Sequence, residues 1–270
     1  MTTFTNKFAR ALAILVMTML VTGDAVLSYG QDAAVRTYSI VDVQANNMDI
    51  PGQGAQTIET TTRTTLDVSM TGENQYHVTI TDISLEGSPM GDGGITGLIG
   101  LEADVTLGAD GSIENISGTD DNAAVTTLGG PDVLKDRLQS IFLHGPGSDL
   151  SVGKKWTHTT ELPSDQNGMT VERVIDSAYT VIGEEARDGV DTWVVQVKGE
   201  IAMSGSGAAN GQNMDMAMEG QTDGKIYVDK STGTLVGSET TGDIEGTIDL
   251  DAFSIMMTLS LNNTVSSTGK

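Results

Sequence analysis

Three methionines at every second position are the first residues of this chain whose type and spacing point to chemistry. Met214, Met216 and Met218 lie in the stretch GQNMDMAMEG. On a strand, these three thioethers share one face at intervals of roughly 6.6–7 Å. Thioethers can ligate Cu(I), line an adaptable apolar cavity or fill an ordinary core. The spacing alone leaves copper binding, ligand binding and plain packing open as hypotheses.

Other residue types that bind metals or catalyse reactions are scattered along the chain. His77, His144 and His158 show none of the HxH, HxxxH or HExxH spacings, and the sequence has no Cys. Neither a zinc site nor a thiol nucleophile is predicted from these residues. No GxSxG motif marks a serine hydrolase, and GDGG at 91–94 does not open a helix after a strand. We therefore predict a protein that is not an enzyme and has no metal or cofactor.

The elements that must position the methionines are strands. Apolar and polar residues alternate in GLEADVTL (100–107), TWVVQVKGEIAM (192–203) and AFSIMMTLSL (252–261). Such period-2 patterns are typical of antiparallel strands with one dry and one wet face. The 33 glycines mark frequent turns between them. The sequence predicts an all-β, mainly antiparallel fold, a curved sheet or open barrel of about eleven strands.

One helix interrupts the strand patterns, at PDVLKDRLQSIFL (131–143). Pro131 suits the first turn of a helix, and Asp132 lies near its positive end. The spacing predicts an apolar stripe that packs on the sheet and includes Leu134, Leu138, Ile141 and Phe142. Gln139 falls on the opposite side with the charged residues and is predicted to face solvent.

Similar element orders precede and follow this helix. The pattern predicts a single domain over residues 32–270 with pseudo-halves at about 35–118 and 156–267, a candidate internal duplication. Equivalent Gly-rich stretches at 86–97 and 204–213 would then be paired mobile loops over a cavity, or ordinary hairpin connections.

The first 31 residues resemble a signal peptide. Lys7 and Arg10 precede the apolar run ALAILVMTMLV, which is too short for a comfortable membrane span. We predict export to the periplasm or outside the cell, with no stable membrane span once the signal is removed. The net charge of −23 repels phosphate backbones, so nucleic acid is not a predicted partner.

Two motifs carry a resemblance to a known group of proteins. SVGKKWTHTTELP (151–163) follows the helix, and GKIYVDKSTGTLVGSE (224–239) forms a later hairpin. This layout resembles an uncharacterised family of exported bacterial proteins classed as a domain of unknown function. Lys154 and Lys155 depart from its preference for an acidic residue after VG. The wider architecture is similar to the periplasmic lipoprotein-carrier fold, a curved sheet wrapped partly around a helix that holds acyl chains between the two.

The resemblance implies a binding role and identifies no catalytic residue. We predict that a hydrophobic ligand, a lipid or a lipidated partner, lies in an apolar groove between sheet and helix. The alternative is a structural or protein-interaction module of the cell envelope, in which the same residues are plain core. The predicted groove residues are Met203, Met214, Met216, Met218, Leu134, Leu138, Ile141, Phe142 and Trp156.

Overall fold

A computed structural model describes most of residues 35–269. The positions outside the description within that range are 53, 89–93, 109–110, 120–121, 128–129, 140, 143–144, 146–149, 167–168, 210–211 and 252. The predicted signal segment, residues 1–31, lies outside the described residues.

Strands make up most of the described chain. They are β1 (Arg36–Ile50), β2 (Gly54–Gly72), β3 (Gln75–Glu86), β4 (Glu102–Leu107), β5 (Ile113–Ser117), β6 (Lys155–Gln166), β7 (Met169–Arg187), β8 (Val190–Ala209), β9 (Gln212–Asp229), β10 (Leu235–Leu250) and β11 (Phe253–Gly269). A short 3-10 helix (Ile95–Leu98) precedes β4. Two α-helices, α1 (Ala123–Thr127) and α2 (Pro131–Gln139), separate β5 from β6.

All eleven strands belong to one antiparallel sheet. Their order is β5-β4-β3-β2-β1-β11-β10-β9-β8-β7-β6, so the first and last strands pair at its centre. The edge strands are β5 and β6, and α2 contacts both of them. A helix nine residues long touches both edges only if the sheet curves back toward itself. The predicted all-β curved sheet of eleven strands with a packed helix is confirmed.

Tight turns fix the register of the long hairpins. Asp188 and Gly189 connect β7 to β8 with φ values of 52° and 81°, and Arg187 pairs with Val190. Positive φ at both turn residues matches the right-handed twist of the flanking strands. The resulting register puts one alternate set of side chains on the buried face, which we call the inner face.

Glycines within the strands permit this curvature. Gly199, Gly220, Gly224 and Gly242 fall at inward positions of β8, β9 and β10. A Cβ atom on Gly220 would lie 2.3 Å from the carbonyl oxygen of Asp243 on the next strand. Such close backbone approach excludes a side chain at this position and is typical of a strongly coiled sheet.

Three predictions need correction. The helix ends at Gln139, shorter than the predicted 131–143. Gln139 is buried instead of facing solvent, because its amide bonds to three backbone groups. The predicted Gly-rich loop at 204–213 is largely strand: Ser204–Ala209 continue β8, and β9 begins at Gln212. Its partner stretch, 86–97, lies partly outside the described residues.

Candidate functional site

The predicted methionine face is a buried cluster at one end of the inner face. Met203 on β8 pairs with Met218 on β9, and Met216 pairs with Ile248 on β10. The members of this methionine cluster all come from strands: Met48, Ile50, Ile175, Ile201, Met203, Met214, Met216, Met218, Ile244, Ile248, Leu250, Ile255, Met257, Leu259 and Leu261. The six methionines are 1–5% exposed, so this end of the sheet is filled by its own thioethers.

The other predicted groove residues belong to a second cluster at the opposite end. Leu134, Leu138, Ile141 and Phe142 are buried there by the helical segment, and the Phe142 ring tilts against Tyr76 at 5.3 Å. Trp156 stacks on the ring of Tyr179 at 5.0 Å. We call the group that these residues form the helix-covered cluster: Tyr76, Leu134, Leu138, Ile141, Phe142, Trp156 and Tyr179.

The nine predicted residues therefore form two groups and no single surface. The structure brings Met203 together with the three methionines of β9, and it brings Trp156 to the same cluster as the helix residues. Ligand binding by either group stays a prediction.

A row of polar residues separates the two clusters on the inner face. The inward positions of β1 read Tyr38, Ile40, Asp42, Gln44, Asn46, Met48 and Ile50. Neighbouring strands continue the row, and we define the polar belt as Asp42, Gln44, Asn46, Thr62, Ser238, Thr240 and Asn263. All seven are at most 5% exposed. Polar side chains so deeply buried normally need hydrogen-bond partners.

One hydrogen bond joins the belt across the central strands. Asn263 Nδ2 donates to Asp42 Oδ1 at 2.5 Å, and the two residues are directly paired between β11 and β1. Other belt atoms have no hydrogen-bond partner among the residues that the structure describes. These atoms are both amide atoms of Asn46, the hydroxyls of Ser238 and Thr240, and Asn263 Oδ1.

Sequence reasoning missed the belt. Its signal is the D-x-Q-x-N spacing of Asp42, Gln44 and Asn46, three polar residues at successive alternate positions of one strand. Val41, Val43 and Ala45 interleave with them, so the local pattern does not say which set is buried. Partners of the belt on β10 and β11 are nearly 200 or more positions away.

Two shallow grooves lie on the outer face. One, of about 650 Å³, crosses β6–β10 and is lined by outward residues such as Asp176, Glu200 and Asp243. The other, of about 1220 Å³, shares these three carboxylates and reaches Ala217 and Met256. Met256 is 64% exposed, the most exposed large apolar side chain in the described residues. The predicted groove residues line neither groove.

The histidine and acidic side chains that could serve catalysis or bind a metal are dispersed in the described part of the structure. His77 Nδ1 lies 2.8 Å from Asp104 Oδ1, but both side chains are exposed and outside the two grooves. His144 lies outside the described residues. No group of three His, Cys, Asp or Glu side chains with metal-binding geometry occurs within the described ranges.

Two titratable groups among the described residues have clearly shifted pKa values, Tyr38 and Asp229. Burial raises the pKa of the Tyr38 hydroxyl, so this inward side chain stays protonated at neutral pH. Burial also opposes ionisation of Asp229, but hydrogen bonds from Ser231 and Thr232 outweigh it and lower the pKa of that carboxyl. Asp229 thereby fixes the turn between β9 and β10.

A family of unknown function, DUF6263, matches residues 122–235. The matched region spans both α-helices and strands β6–β9, and it includes the three methionines of β9. This match confirms the predicted resemblance to a domain of unknown function. No curated protein matches the chain in sequence.

Solved structures that match the chain include lipovitellin and a hypothetical bacterial lipoprotein. Lipovitellin, in a structure titled for its lipid–protein interactions, is 12% identical with a TM-score of 0.47; the match covers 88% of this chain and 25% of lipovitellin. The chain thus spans about a quarter of the length of lipovitellin. The hypothetical lipoprotein YmcC of Escherichia coli is 12% identical with a TM-score of 0.31, covering 96% of this chain and 91% of YmcC.

A LolA-superfamily structure is also among the matches. A LolA-superfamily protein of Nitrosomonas europaea is 8% identical with a TM-score of 0.19, over 89% of this chain and 86% of that protein. In the part of the chain that the structure describes, no helix has the length and apolarity needed to cross a membrane.

Proposed function

We propose that this protein is an exported, non-enzymatic binding protein that holds a hydrophobic ligand within its curved sheet. The observation that carries the proposal is the methionine cluster, in which six thioethers meet at the end of the sheet away from the helices. Methionine is unbranched and flexible, and it is favoured where an apolar surface must adapt to its contents. The cluster therefore supports binding of an alkyl or acyl chain.

The two ends of the inner face differ in how they are built. In the helix-covered cluster, side chains such as Leu138 and Phe142 are completely enclosed between helix and sheet. In the methionine cluster, residues of β1 and β7–β11 pack against one another without a helix residue among the members described. A chain inserted there displaces flexible thioethers and leaves every secondary-structure element in place. The proposed groove thus moves from the sheet–helix boundary to the methionine cluster.

Export remains part of the proposal. The signal-like segment 1–31 supports it, and the periplasm or the cell exterior is the proposed location. A lipid or a lipidated partner of the cell envelope is the proposed ligand class.

Native mass spectrometry with oleyl alcohol tests the binding. We expect a one-to-one adduct of the wild-type protein, and we expect Met216→Gln to weaken it about tenfold because a polar amide replaces a buried thioether. The matched control is Met256→Gln on the exposed outer face, which should leave the adduct unchanged. Thermal melts of each variant identify loss of binding caused by unfolding.

If the wild-type protein shows only the mass of the polypeptide, also after incubation with envelope lipid, the proposal is overturned.

A second candidate function is favoured by one observation, the exposure of Met256 in the acidic outer groove. An exposed apolar side chain in a groove lined by carboxylates suits contact with a basic protein partner. Loss of ligand in Met256→Gln but not in Met216→Gln would place the binding there.

A further inference from the structure

The unpaired atoms of the polar belt identify a second kind of contact inside the sheet. Asn46 is fully buried, and neither its Nδ2 nor its Oδ1 has a partner among the residues described. Three other belt atoms also have no partner among the residues described: the hydroxyl oxygens of Ser238 and Thr240, and Asn263 Oδ1. Unpaired buried polar groups cost stability, so their presence in one row requires an explanation.

The belt borders directly on the methionine cluster. Asn46 and Met48 are successive inward residues of β1, and Asn46 pairs with Leu259, a member of that cluster. Thr240 and Asn263 are directly opposite each other on β10 and β11. From Asn46 to the level of Asp42 and Asn263 the belt extends roughly 13 Å along the strands. A molecule with its apolar chain among the methionines would place its polar end at the belt.

We propose that the polar belt binds the uncharged, hydroxyl-bearing headgroup of a single-chain amphiphile whose chain lies in the methionine cluster. This inference rests on the proposed function and specifies its ligand class. The unpaired belt atoms include donors and acceptors, and a hydroxyl group both donates and accepts. An ammonium headgroup only donates and leaves Asn46 Nδ2 unpaired.

Charge separates this headgroup from an anionic one. Asp42 places a buried carboxyl group within the belt, and its oxygens repel the oxygens of a second carboxylate or a phosphate. Among the described inward side chains of β6 and β7, the titratable ones are His158, Arg173 and Tyr179. Arg173 is buried and pairs with Met203, at the level of the methionines and not of the belt. A carboxylate headgroup is therefore expected at Arg173 if it binds at all.

The test compares 1-monooleoylglycerol with oleic acid, two probes with the same chain and different headgroups. We expect wild-type protein to bind monooleoylglycerol more tightly. Asn46→Leu should weaken monooleoylglycerol binding about tenfold and raise the melting temperature of the ligand-free protein, since an unpaired amide leaves the interior. Thr240→Val is the second variant, with the same expected direction. Asn47→Leu, one position away and outward-facing, is the matched control and should change neither quantity.

Each outcome bears on a different proposal. Unchanged monooleoylglycerol affinity in both belt variants, or tighter binding of oleic acid by the wild type, overturns the headgroup inference and leaves the proposed function standing. Failure of the wild type to bind either probe or oleyl alcohol overturns both. A belt variant that fails to fold is replaced by the other, and the melting curves establish which has folded.

Discussion

Asn263 and Asp42 are 221 residues apart in the chain, yet Asn263 Nδ2 lies 2.5 Å from Asp42 Oδ1 in the interior of the sheet. The bond joins β11 to β1, the strands at which the two halves of the sheet meet. This hydrogen bond therefore connects the first and the last strand of the described fold, and both of its side chains are almost entirely buried.

Removing this hydrogen bond should destabilise the whole sheet. Asn263→Ala takes a hydrogen-bond donor from the buried carboxyl group of Asp42, and we expect the free energy of unfolding to fall by about 1–3 kcal/mol. Urea unfolding at neutral pH measures the change. Asn262→Ala, the outward-facing neighbour, should lower it by less than about 0.5 kcal/mol. Equal losses in the two variants would show that the buried bond contributes nothing specific.

The inward glycines give a second prediction, on curvature. Gly220→Ala would place Cβ 2.3 Å from the Asp243 carbonyl oxygen and 2.7 Å from Ile244 Cα, and backbone atoms cannot rotate away as side chains do. We expect a loss of about 1–3 kcal/mol in the free energy of unfolding. Gly183→Ala on β7 is the control, because its Cβ meets no atom within 4 Å. A melting temperature unchanged in Gly220→Ala would contradict the close strand approach.

The sequence was sufficient to predict the strands whose alternation is uninterrupted. On β8, the alternation in 192–203 predicts that Val195, Val197, Ile201 and Met203 share one face, and all four are buried on the inner face. The missing member is Gly199, where a Cβ atom would lie 2.4 Å from Thr222 Oγ1, a side-chain atom of the next strand. Local periodicity specifies the face of a strand and does not show where strands crowd.

Prediction of the candidate site was less complete, for a physical reason visible on β1. Val41, Val43 and Ala45 form an apolar set in the middle of the strand, yet Asp42, Gln44 and Asn46 are the buried set. The inward register is fixed at the two strand ends, by Tyr38 and Ile40 and by Met48 and Ile50. Burial of the apolar residues at both ends of β1 decides which face is inward, against the apolar set in the middle of the strand. The residues that surround the buried polar set come from strands distant in sequence.

The Asp229 turn predicts a pH dependence of stability. Hydrogen bonds from Ser231 and Thr232 lower the pKa of Asp229 in the folded protein. Its contribution is therefore complete above the unfolded pKa of about 3.9 and is lost as the pH falls through the lower folded value. Asp229→Asn should reduce the free energy of unfolding by about 1 kcal/mol at pH 7, and the difference should disappear at strongly acidic pH.

Chemical denaturation of both proteins across this pH range measures the effect. Asp188→Asn in the turn before β8 is the control, because asparagine also tolerates the φ of 52° found there. If the difference in the free energy of unfolding between wild type and Asp229→Asn stays constant down to strongly acidic pH, the role assigned to the Asp229 carboxyl is contradicted.

Gln139 allows the two apolar clusters to be tested separately. Its Oε1 accepts from Ile113 N at 2.7 Å, and its Nε2 donates to the carbonyl oxygens of Gly111 and Phe142 at 3.2 and 3.1 Å. Gln139→Leu removes all three bonds, so we expect faster hydrogen exchange over 131–142 and a loss of about 1–3 kcal/mol in local stability. Lys135→Ala on the same helix is the control.

Monooleoylglycerol affinity should be unchanged in Gln139→Leu, because the proposed ligand lies in the methionine cluster. An affinity change that accompanies the faster exchange would instead place the ligand between sheet and helix, at Leu138 and its neighbours.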